Sequence, residues 1–62
     1  MTQKEFDEQV IELQLDINFY GAEVNSASII QDYTLLNVYH NKREDTKKQL
    51  KSIKEKYPEY LI

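Results

Sequence analysis

Residues 6–24 read FDEQVIELQLDINFYGAEV, and this stretch decides the fold. Within it Phe6, Val10, Leu13, Ile17, Tyr20 and Val24 recur at alternating steps of four and three. At 3.6 residues per turn these six side chains share one face of an α-helix, the a/d-like stripe of a helix that packs on another. A second, weaker stripe (Ile11, Leu15, Phe19, Ala22) lies nearly opposite. One neighbouring helix covers one apolar face, whereas two opposed faces need more than one neighbour. The rest of the chain is therefore read as whatever covers this helix.

Upstream, Thr2 with Glu5 three residues on has the form of a capping box, so the helix should begin at about Gln3. Glu5, Asp7 and Glu8 in the first turns suit the positive end of the helix dipole. Downstream comes the only glycine, Gly21, and then Asn25-Ser26-Ala27-Ser28, the richest run of cap-forming residues. These signals place a turn within 21–28. The competing reading is a continuous rod, because glycine inside a helix costs only about 1 kcal/mol.

The second helix opens with Ile29, Tyr33, Leu36 and Tyr39, has no apolar residue from His40 to Gln49, and resumes with Leu50, Ile53 and Tyr57. Pro58 should stop it near Lys56, since the residue before proline avoids the helical region. The polar stretch reads as the solvated middle of one long helix. Alternatively, Asn41 and Glu44 cap a third helix and give a compact three-helix bundle with a break near 40–43. No glycine or proline is present there to reverse the chain, which favours continuity.

The expected fold is thus all-α: an antiparallel helical hairpin, about 3–22 and 27–56, within one small domain. In that register Phe6 lies near 43–47, and the acids Glu5, Asp7 and Glu8 face Lys42, Arg43 and Lys47. The second helix overhangs the first and leaves Leu50, Ile53 and Tyr57 uncovered. Together with the second stripe on helix 1, this predicts self-association into a dimeric four-helix bundle. The expected protein interface is Leu50, Ile53, Tyr57, Tyr60 and Leu61, with Ile62 in the same tail, and Ile11, Leu15 and Phe19 on helix 1.

At 62 residues the chain is short enough that a single core is marginal, and small folds recover stability from disulfides, metals or self-association. There is no cysteine and only one histidine, His40, which leaves the third route. The same counts leave little for nucleophilic catalysis, and no catalytic residue, cofactor or metal site is expected. Glu8, Glu12 and Asp16 read as a solvated acidic strip rather than an ion site. No run approaches the length of a membrane span, and the N-terminus lacks the plan of a signal peptide, so a cytoplasmic protein is expected. The richness in Lys, Ile, Asn and Tyr suits an AT-rich bacterial or viral genome.

The net charge of −3 gives no general attraction to nucleic acid or anionic membrane. Locally, Lys47, Lys48, Lys51 and Lys54 belong to a basic run, 42–56, that offers possible phosphate contacts. The function expected first is a small non-catalytic protein–protein interaction module, a regulator, adaptor or inhibitor whose partners are itself and an unidentified protein. The alternatives are a nucleic-acid-associated accessory protein using 42–56, or an inhibitor whose Glu8, Glu12 and Asp16 imitate a phosphate backbone. Small acidic hairpins of this kind resemble in outline the phosphatases of the sporulation phosphorelay. The Ser-Gln-x-x-x-Asp motif of that family is not matched by Ser28-Ile29-Ile30-Gln31-Asp32, and no residue carries over.

Overall fold

A computed structural model describes residues 1–61. Two long helices, α1 (Gln3–Ile29) and α2 (Tyr33–Lys56), run antiparallel and are followed by one short 3-10 turn, Pro58–Tyr60. The molecule is a rod of 43 × 15 × 15 Å. The all-helical hairpin read from the sequence is present. Its boundaries differ from those expected.

Both N-terminal signals act as read. The Thr2 hydroxyl accepts from the Glu5 amide and the Glu5 carboxylate accepts from the Thr2 amide, each at 3.1 Å. The reversal lies elsewhere. The first helix does not end near 22, and the second does not start near 27; α1 passes through Gly21 and all of Asn25–Ser28 to Ile29. The turn is Ile30-Gln31-Asp32. Gln31 takes a left-handed conformation, φ 58°. The Gln31 amide bonds the Ser28 carbonyl at 3.1 Å and the Asp32 amide bonds the Ala27 carbonyl at 2.9 Å. These are the two bonds of a Schellman ending, with glutamine where glycine is usual. Asp32 then caps α2 at once, its side chain accepting from the Leu35 amide at 3.0 Å. One residue thus closes one helix and opens the next.

The shift of the turn resets the register. The seam on α1 is Phe6, Val10, Leu13, Ile17, Tyr20, Val24 and Ala27, every one buried or half-buried. The matching positions on α2 are Leu36, Tyr39, Arg43, Thr46, Leu50, Ile53 and Tyr57, also all buried or half-buried and also spaced three and four apart. The polar run 40–49 is therefore part of the packed interface, because every third or fourth residue of it turns inward. No break occurs near 40–43, so the three-helix alternative is excluded. Thr46 is buried with its hydroxyl donating to the Lys42 carbonyl at 2.8 Å, so the buried polar group is satisfied within its own helix. Arg43 lies across Gly21: a Cβ at position 21 would stand 3.5 Å from Arg43 Nε. That nitrogen is buried without a hydrogen-bond partner among the described residues.

Pro58 ends α2 at Lys56 as expected. The tail then turns back over the open end of the hairpin. The Tyr60 ring lies 5.3 Å from Phe6 and 5.9 Å from Tyr57, and the Phe6–Tyr57 centroids are 6.5 Å apart. The Tyr60 hydroxyl donates to the Met1 carbonyl, and the Gln3 side-chain amide donates to the Tyr60 carbonyl at 3.2 Å. Phe6 is 3% exposed as a result. Ile62 lies outside the described residues.

Candidate interaction surface

The residues expected to form an interface fall into two groups. Leu50 is 8% exposed in the seam, and Ile53, Tyr57 and Tyr60 are half-buried at the open end. The sequence register leaves them uncovered, with α2 outreaching α1. Helices of 27 and 24 residues leave no such overhang, so α1 itself covers them. Leu61, at the rim, remains 52% exposed.

The second group behaves differently. Ile11, Leu15 and Phe19 are 59%, 62% and 55% exposed on α1, turned away from α2. Their spacing places them away from the seam, and Phe19 alone of the three has an α2 ring within reach. Phe19 is nonetheless held in place. Its ring sits 5.6 Å from Tyr20 at 64° and 6.4 Å from Tyr39 at 84°, edge contacts of the favourable T-shaped kind. Ile29, Ile30 and Tyr33 add exposed apolar area at the tip, and Val38 adds more on α2. The sequence pattern puts Ile29 and Tyr33 on the packed face of a second helix; α2 begins only at Tyr33, which leaves both at the exposed tip.

The charged residues do not bridge the helices as expected. Phe6 lies at residue 57 rather than 43–47, so Glu5, Asp7 and Glu8 are far along the rod from Lys42 and Arg43. Among the described residues the ion pairs are Lys47–Glu44 at 3.5 Å and Lys51–Glu55 at 3.9 Å, both within α2. Exposed pairs of this kind contribute ~0–1 kcal/mol each. Lys42 and Lys56 sit over the rings of Tyr39 and Tyr57, 5.6 and 5.5 Å from the centroids. Lys47, Lys48 and Lys51 are exposed and Lys54 is half-buried. Lys47, Lys51 and Lys54 border a shallow groove floored by Ile17, Leu50 and Leu61.

The Glu5 carboxylate is engaged by the cap residue. The Thr2 backbone amide, and then its hydroxyl, hold the carboxyl below its ordinary value. Among the described residues no group of three or more His, Cys, Asp or Glu is placed to hold a metal ion, and no helix is long and apolar enough to cross a membrane. Comparison with known protein families, with curated proteins and with solved structures finds no match to this chain.

Proposed function

We propose that this chain is a small non-catalytic protein–protein interaction module, a regulator, adaptor or inhibitor, whose contact surface is the outer face of α1 and whose first partner is itself. The observation that carries the reading is the exposure of three large apolar side chains in one row, Ile11, Leu15 and Phe19, each more than half open to solvent. Contiguous apolar rows flanked by charge are the usual mark of an association surface. Two features fit. Phe19 is already ordered by Tyr20 and Tyr39, so its docking costs little side-chain entropy. The row is also bordered by Glu8, Glu12 and Asp16, which gives the polar rim common around apolar contacts.

Light scattering on a sizing column over a range of concentrations tests this. A mass above that of one chain is expected, falling to one chain in Leu15→Glu while circular dichroism keeps its helical signal. A mass that ignores Leu15→Glu would refute the assigned face.

The second reading, phosphate contact through α2, is supported by the placement of Lys47, Lys48, Lys51 and Lys54 along one side of that helix. Glutamates within 4 Å of two of these ammonium groups lower its local charge. Binding to single- or double-stranded DNA that weakens steeply with salt, and that reversal of Lys47, Lys48 and Lys51 abolishes, would favour it over the first.

A further inference from the structure

We infer that the groove between α1 and α2 toward the open end of the hairpin seats an acidic amphipathic helix of a partner protein. This surface is separate from the outer face of α1 and stands or falls without it. Its floor is apolar: Ile17 and Leu50 from the seam, with Leu61 beside them still 52% exposed. Its α2 wall is a row of cations, Lys47, Lys51 and Lys54. From α1 only Gln14 and Ile17 line it, so no acid of α1 answers those cations across the groove.

Charge complementarity fixes the sign of the occupant. Lys47 and Lys51 are partly answered by Glu44 and Glu55 of their own helix. Lys54 is half-buried, and among the described residues no carboxylate stands within 4 Å of its ammonium group. A partly desolvated cation at the edge of an apolar floor is satisfied by a carboxylate that arrives with apolar groups attached.

Spacing fixes the shape. Lys47 to Lys54 is seven residues, roughly 10 Å of helix at about 1.5 Å per residue. Carboxylates at positions i, i+4 and i+7 of a second helix repeat that interval, and apolar side chains on its adjoining face meet the floor. A fatty-acid carboxylate would engage one ammonium group and leave the others. A phosphate backbone would match the charges but lay polar groups on Leu50 and Leu61. The amphipathic helix uses both the row and the floor, and a third helix set between two others is ordinary bundle packing. The floor is narrow, so the complex belongs to the small, transient class, with charge steering the encounter.

The test uses a fluorescently labelled designed peptide of about 18 residues, long enough to form a helix. It carries Glu at i, i+4 and i+7 and Leu on the adjoining face. Anisotropy should show saturable binding to the native chain. Lys54→Glu should weaken it about tenfold or more, since like charges then meet. Leu61→Ser should weaken it less, and Leu15→Glu on the outer face of α1 should leave it unchanged. Circular dichroism of each variant should keep the helical signal, because all three changes are at the surface. A peptide of the same composition, scrambled so that Glu and Leu share no faces, should bind more weakly; equal binding would overturn the helix. Dodecanoate or oligothymidylate binding in the groove where the peptide does not would overturn the assigned partner in favour of a lipid anion or a phosphate backbone. Peptide binding lost in Leu15→Glu but kept in Lys54→Glu would overturn the groove, and no saturable binding at all would overturn the proposal.

Discussion

The two ends of the hairpin are held by different physics. At the tip, Ile29 is 82% exposed and Ile30 67%, so little apolar area is buried. The tip is held by backbone bonds and a cap: Gln31 to Ser28, Asp32 to Ala27, and the Asp32 side chain to Leu35. At the open end the rings of Tyr57 and Tyr60 pack around a nearly inaccessible Phe6, and the last residues fold back to cover it. Chain connectivity explains the contrast. Three linking residues keep the helix ends together at the tip, whereas holding residue 6 against residue 57 means closing a loop of fifty residues, an entropic cost that grows with loop length. The one buried aromatic ring, Phe6, is placed where that cost is greatest.

The contrast can be broken from either end. Phe6→Ala should be the most damaging change, costing about 3 kcal/mol or more as a buried ring lost to a cavity. Urea melts should show the midpoint fall accordingly. Asp32→Ala should cost about 1 kcal/mol, the value of an N-cap, and leave the open end intact. A loss at Asp32 as large as that at Phe6 would mean that the tip, not the clasp, governs stability. Gln31→Gly should run the other way. It removes the left-handed strain of a side-chain-bearing residue and should raise stability by roughly 0.5–1 kcal/mol, seen as a higher urea midpoint.

The smallest effect concerns the first turn. The Glu5 carboxyl is lower in the fold than when unfolded, so it stabilises the fold above its unfolded pKa. That contribution is lost as pH falls through the folded pKa, below the ordinary value of 4.5. Glu5→Gln should therefore flatten the acid limb of a stability–pH curve and leave the alkaline limb unchanged.

What was legible in the sequence was local. The capping box at Thr2 and Glu5 and the stop at Pro58 depend on sterics and hydrogen bonds within a few residues, and both are found where the residues point. The outer row Ile11, Leu15, Phe19 was also legible, since helical periodicity alone separates it from the seam. The register was not. Gly21 and the Asn25–Ser28 cluster are strong local signals for a turn, yet they lie inside α1. The residue that turns the chain is a glutamine, which carries no turn signal. The discriminating pattern was non-local: Leu36, Tyr39, Arg43, Thr46, Leu50, Ile53 and Tyr57 keep the three-four spacing only if an arginine and a threonine count as seam positions. Reading the run 40–49 as wholly solvated hid that continuity and moved Phe6 to the wrong partner.

The middle layer, where Arg43 crosses Gly21 and Thr46 is buried, interrupts the apolar seam of α2. On one side of it lie Phe6, Val10, Leu13, Ile17, Leu50, Ile53 and Tyr57; on the other lie Tyr20, Val24, Ala27, Leu36 and Tyr39. Cooperative opening units tend to follow contiguous apolar clusters. The two halves of each helix should then exchange amide hydrogens at separate rates, with residues 21 and 43 marking the step. A protein this small would unzip in two stages rather than one, shedding its clasped half while the looped half keeps its shape.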